Sequence, residues 1–200
     1  MEEQTAPAPS LWERSRQAAY AEIVETAMRL FMEQGFENTT IDQIASAVGI
    51  SRRSFFRYFG TKEDIVFGDL NELGHVVKAA LEERPPEESP WDALLAAMGA
   101  LSGATGFSPE RGFEIAKLTL DNPSLRARHI EKHLRWQEIL VPEIEKRLGI
   151  KSGPVPDPRA HAIVGAALTC LDTAMEIWAR QDGRGSLEDL YLQAVTAIRS

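Results

Sequence analysis

The chain has 200 residues and 22 Lys and Arg against 30 Asp and Glu, a net charge of −8; this balance excludes indiscriminate polyanion binding by the whole surface. A hydrophobic fraction of 44% and a charged fraction of 26% are ordinary for a globular protein of one domain or two small ones. The single cysteine excludes an internal disulfide and a cysteine-built zinc cluster, and no stretch approaches the roughly 20 apolar residues a membrane helix needs.

Residues 1–10, MEEQTAPAPS, read as a flexible tail without the basic start and apolar core of a signal peptide, so the expected location is cytoplasmic, with no membrane partner. Ser10 with Glu13 predicts a capping box that opens a first helix. Tyr20, Ile23, Val24, Ala27, Met28 and Phe31 give it one apolar face, and Gly35 stops it. Thr40 with Gln43 opens a short second helix ending before Gly49. Ser51 caps a third, through about Phe59, and Thr61 with Asp64 opens a fourth after Gly60.

Further on, Ser89–Pro90, Ser108–Pro109 and Asp157–Pro158 each pair an N-cap with proline at the first helical position. A long helical stretch spans Leu125–Leu148, with Pro142 removing one backbone donor inside it. GIKSGPVPDP is the clearest loop, and two helices follow, about Pro158–Gln181 and Ser186–Arg199. The expected fold class is all-α, with about nine helices.

The stretch from Ile41 to Phe59 carries the chemistry. Ile44, Ala45, Val48, Gly49, Ile50 and Phe55 fit a helix-turn-helix. A small residue lets the two helices touch, a glycine takes the turn, and the apolar positions fill the space between them. Between Ile44 and Lys62 stand Arg52, Arg53, Arg57 and Lys62 and no acidic residue. In such a motif the second helix enters the DNA major groove by its N-terminal residues, where arginine holds guanine O6 and N7. Arg52 and Arg53 occupy that leading end. Thr40 and Lys62 lie at helix starts, where phosphates bind. Phe55 and Phe59 share an inward face. Phe56 stands between core packing and a DNA-side position, Tyr58 between packing its ring and offering its hydroxyl, and Arg57 between a backbone contact and solvent.

The segment TTIDQIASAVGISRRSFFRYFGTKEDI, together with AMRLFMEQGF, resembles the N-terminal signature of the TetR family of transcriptional repressors. The resemblance implies a three-helix DNA-binding head over residues 11–60 and a ligand-binding and dimerisation body over 61–200. It implies that Thr40, the helix start from Ser51 to Ser54, Tyr58 and Lys62 touch double-stranded DNA at a palindromic operator. The family often has tyrosine at position 56, and Phe56 lacks that hydroxyl; a methyl or sugar contact is then what remains. FFRYF, with NPSLRARHIEKHLRWQEIL and a late AMEIWA, is similar to an actinobacterial-type subgroup that includes the mycofactocin-system regulator, which responds to acyl-CoA. By resemblance the last two helices form a homodimer, and a small apolar or acyl-type effector releases the repressor.

In the body, Phe113, Leu118, Trp136, Leu140 and Cys170 are pocket candidates, each set against ordinary core packing. Arg126, Arg128 and Lys132 are candidates for an anionic head group, set against a solvated surface. His129 and His133 are four apart, but HIEKH is not H-E-x-x-H, and two ligands do not make the closed four-ligand site of structural zinc; no metal and no cofactor are expected. No lysine-terminated phosphate loop or Ser-His-Asp set appears, so no enzyme is expected. A competing reading is a helical enzyme or metal-binding protein that carries a helix-turn-helix, and another is an activator without a small ligand.

Overall fold

The computed structural model describes residues 10–68, 70–101, 108–150 and 157–199. The expected tail, Ser10 apart, and residues 151–156 of the expected loop lie outside them. Among the described residues there are ten helices and no strand, in agreement with the all-α expectation: α1 (Leu11–Gln34), α2 (Ile41–Val48), α3 (Arg52–Phe55), α4 (Glu63–Phe67), α5 (Leu70–Glu82), α6 (Pro90–Met98), α7 (Pro109–Asp121), α8 (Pro123–Arg147), α9 (Pro158–Arg180) and α10 (Leu187–Arg199). The chain forms two compact units, Met1–Val66 and Phe67–Ser200.

In the first unit the local signals act where the sequence places them. The Ser10–Glu13 and Thr40–Gln43 boxes are closed in both directions. Each satisfies a backbone N–H that the first turn of a helix leaves without a partner. Gly49 takes the left-handed conformation, φ 76°, that ends α2 at no steric cost. Ile23, Ala27, Met28 and Phe31 of α1, Ile44 and Ala45 of α2, and Phe36, Phe55 and Phe59 are all buried, and α1 packs against α2. Phe59 stacks on Tyr20 at 4.7 Å. The third helix is shorter than expected. Regular α-helix stops at Phe55, and Arg57 and Tyr58 donate to Ser54 and Phe55 carbonyls in tighter three-residue turns.

The second unit packs α5, α6, α8 and α9 around Val77, Leu81, Leu94, Trp136, Leu140, Ile144, Val164 and Leu168. A smaller cluster joins Ala116 of α7 to Trp178 and Ala179 of α9. A Cβ on Gly74 of α5 would stand 3.0 Å from both Trp136 Cδ1 and Ile139 Cδ1, so glycine permits this close approach of α5 and α8. The Arg147 guanidinium, at the end of α8, donates to the carbonyls of Leu81, Arg84 and Pro85 at 2.7–2.9 Å. It thereby caps the C-terminal end of α5. Pro142 sits within α8 without ending it. Among the described residues one helix, α9, is long and apolar enough to cross a membrane by length and composition, with a mean hydropathy of 1.4. The sequence reading expected no stretch of this kind; α9 reaches the value with polar residues interspersed among its apolar and small ones. Its Val164, Ala167, Leu168 and Cys170 are buried within the unit.

Candidate nucleic-acid interface and polar cluster of the body

The α2–α3 pair holds the arginine-rich stretch against the head. Ala45, 3% exposed, lets the helices approach, and Ile44 and Phe55 are fully buried. Ser51 caps α3, its Oγ accepting from Ser54 N at 3.1 Å. With Phe55 and Phe59 fixed inward, residues 51–53, 56 and 57 face solvent. Phe56 is 46% exposed and meets Phe55 edge-on, which removes it from the core. The Arg52 guanidinium lies over the Phe56 ring at 5.7 Å and pairs with Asp42 at 3.0 Å. Arg53 has no ion-pair partner among the described residues. Exposed cations on an exposed helix start are the elements of base and phosphate recognition.

Two candidates hold structural contacts. Thr40 Oγ1 accepts from Gln43 N at 3.2 Å as the N-cap of α2. Lys62 is half-buried; its ammonium donates to the carbonyls of Phe36 (2.7 Å) and Thr39 (3.2 Å) and lies 4.3 Å from the Phe36 ring centre. Lys62 thus ties down the turn between α1 and α2. Sequence reasoning missed Trp12, Ser15 and Arg16 of α1, which line one recess with Arg57 and Tyr58. The arginine at position 16, on the same helix face as Trp12, was the available signal.

The five pocket candidates do not all lie in one core cluster. Trp136 and Leu140 lie in the main core cluster, whereas Phe113 packs edge-on against Trp178 in the smaller one. Leu118 and Cys170 are buried, and burial pushes the Cys170 thiol up. Arg126 is exposed and Arg128 pairs with Glu131.

A polar cluster stands instead where α8 meets α9. His129 Nε2 is 2.7 Å from Asp172 Oδ1. His133 Nε2 is 3.1 Å from the same oxygen, out of line for a hydrogen bond, and this buried nitrogen has no hydrogen-bond partner among the described residues. Burial raises the Asp172 carboxyl, but the two imidazoles outweigh it and hold it well below the carboxylate range. Burial lowers His129, against the pull of Asp172. The Lys132 ammonium lies over the Trp136 ring at 5.1 Å. Its burial brings it down to about 8, opposed by the charge of Asp172. Sequence reasoning found both histidines, but their carboxylate lies 43 positions away on another helix. Buried donors elsewhere in the unit also lack hydrogen-bond partners among the described residues: Trp91 Nε1, Trp178 Nε1 and Tyr191 Oη.

Residues 23–67 match the family model for bacterial regulatory proteins of the tetR family, and residues 88–200 match the MftR C-terminal domain. The chain is 30% identical over 152 residues to the HTH-type transcriptional regulator TcmR of Streptomyces glaucescens, spanning 73% of this chain and 67% of that protein. It is 29% identical over 178 residues to a protein named as the mycofactocin biosynthesis transcriptional regulator MftR of Mycobacterium tuberculosis, spanning 88% of each. The crystal structure of the transcriptional regulator FadR from Bacillus subtilis in complex with stearoyl-CoA has a similar fold, with a TM-score of 0.56 and 19% identity over 88% of this chain and 96% of that one. With a helix-turn-helix head that matches one of these models and a helical body, more than half of the chain, that matches the other, the protein belongs to the tetR family of bacterial transcriptional regulators.

Proposed function

We propose that the protein is a cytoplasmic, non-enzymatic repressor that binds a palindromic operator as a homodimer and is released by a small apolar or acyl-type effector, with acyl-CoA the leading class. The observation that carries DNA recognition is the exposed start of α3, where Arg52 and Arg53 project from a helix anchored by buried Phe55. Ser51, Ser54 and Tyr58 assist at the backbone, and Arg57 adds charge. The head's basic stretch supplies the local field that the chain's overall charge does not.

Dimerisation is read from α9 and α10. Ile177, Leu192 and Ile198 are exposed at 38%, 50% and 55%, and the outward face of α9 carries Ala162, Thr169 and Thr173, small enough for close helix approach. A two-fold dimer presents two α3 helices to half-sites about one or more helical turns apart. An acyl-type effector is supported by the MftR-like body, by the acyl-CoA held by the FadR neighbour, and by Lys132 and the unpartnered buried donors of the body. Such an effector loosens operator binding only by its differential affinity for the two forms of the body.

A mobility-shift titration on DNA flanking the coding region tests the reading. Arg53→Ala is expected to weaken binding by about 1–3 kcal/mol, roughly 5- to 150-fold, with a smaller loss for Arg52→Ala, which already shares its charge with Asp42. Unchanged binding in both variants rejects base reading by α3. Adding a long-chain acyl-CoA to the wild-type complex is expected to release the DNA; complexes indifferent to acyl-CoA reject that effector class and leave DNA recognition standing.

A further inference from the structure

We propose that His129, His133 and Asp172 bind a divalent first-row transition-metal ion of the zinc type. The expectation of no metal counted only the two histidines of α8. Four residues apart, they project from one face, with ring centres 4.8 Å apart. Packing against α9 adds Asp172, and the three ligand atoms all lie within 4.8 Å of one another.

The distances suit an ion. Metal–nitrogen and metal–oxygen bonds of about 2.0–2.2 Å place neighbouring ligand atoms roughly 3.0–3.4 Å apart. Here Asp172 Oδ1 is 2.7 Å from one imidazole nitrogen and 3.1 Å from the other, and all three ligand atoms lie within 4.8 Å of one another, so rotating the imidazoles toward each other by up to about 1–2 Å brings all three to metal-bonding separation. Alignment points the same way. His133 Nε2 is buried near a carboxylate oxygen yet makes no hydrogen bond to it, and a buried polar atom without a partner calls for one. An ion between the three groups gives that nitrogen its partner.

The donor set selects the ion. Two imidazoles and one carboxylate suit zinc, iron(II), cobalt or nickel, whereas calcium and magnesium take oxygen ligands. Three protein ligands leave coordination positions open, as in zinc sites that also hold water or a small ligand. One carboxylate only half-neutralises a dication, and the Lys132 ammonium stands nearby on the same helix. That charge disfavours a bare ion and favours one that also carries an anionic oxygen. The site joins α8 to α9, so occupancy ties together two core helices of the body. None of this depends on the acyl-effector reading.

The test uses tag-free, chelator-stripped, full-length protein titrated with Co²⁺ and followed by its visible ligand-field bands, then back-titrated with Zn²⁺. One Co²⁺ per chain, displaced by Zn²⁺, is expected. The bands should be lost in His129→Ala and His133→Ala and retained when the chain's other two histidines are replaced, in His75→Ala with His161→Ala. Absence of bands in the folded wild type, or bands that survive in the His129 and His133 variants, overturns the proposal. Should those variants fail to fold, the wild type still decides. Zn²⁺ is expected to shield His129 and His133, but not His75 and His161, from acylation by diethyl pyrocarbonate; equal modification with and without Zn²⁺ overturns the site.

Discussion

Lys62 lies where a phosphate contact is expected, yet its ammonium already meets two carbonyls and an aromatic face. Two roles therefore predict two different defects. If the structural role dominates, Lys62→Met lowers the stability of the head by about 1–3 kcal/mol, the worth of charge-assisted hydrogen bonds, as read by chemical denaturation. If a phosphate contact dominates, stability holds and the slope of log K against log salt falls by about one per head. We expect the first outcome. Arg52 shows the opposite balance. Its pair with Asp42 is exposed on both sides and contributes little to stability, so its guanidinium can turn to DNA at small cost. Phe56, fixed by neither pattern nor charge in the sequence, needed the structure: helical spacing alone does not say which residues of a helix this short are covered.

Helix starts were the most legible features, because a cap is a contact between residues three apart and is written in consecutive letters. The boxes at Ser10, Thr40 and Thr61 and the caps at Ser51, Ser89, Ser108 and Asp157 stand as read. The end of α3 was less legible, since the switch to tighter turns after Phe55 is set by packing of Phe55 and Phe59 into the core. The polar cluster was half legible: the two histidines share a helix, but Asp172 reaches them only through the packing of α8 on α9. Gly74 was not singled out at all. Within a helix it costs about 1 kcal/mol relative to alanine, and its reason lies on another helix, in the Trp136 ring. Gly74→Ala recovers that helical propensity but presses on a ring that is 1% exposed, and overpacking costs about 1–3 kcal/mol. We expect a net loss of up to about 2 kcal/mol; a rise in Tm would show that Trp136 moves freely.

At the scale of the whole molecule, a chain of net charge −8 gains affinity for DNA only where its positive charges are gathered, and those sit in one stretch of the head. Doubling that stretch by symmetry is what the proposed homodimer adds. Leu192→Glu, at a half-exposed position of α10, is expected to yield a folded monomer in sedimentation experiments and to weaken operator binding by at least about tenfold, since each half-site then binds without the gain of linkage. A variant that stays dimeric places the interface elsewhere.

Arg147 has a bearing on how the body opens. Its three bonds fasten the end of α8 to the last turn of α5, at Leu81, and to Arg84 and Pro85 just beyond it, in helices that begin 53 residues apart in the chain (Pro123 against Leu70). Fraying of either end strands the carbonyls or the guanidinium of the other, so the two termini melt as one cooperative segment. The amide protons of both final turns then exchange with solvent on a common timescale, a synchrony that separates this corner of the body from helix ends that unravel independently.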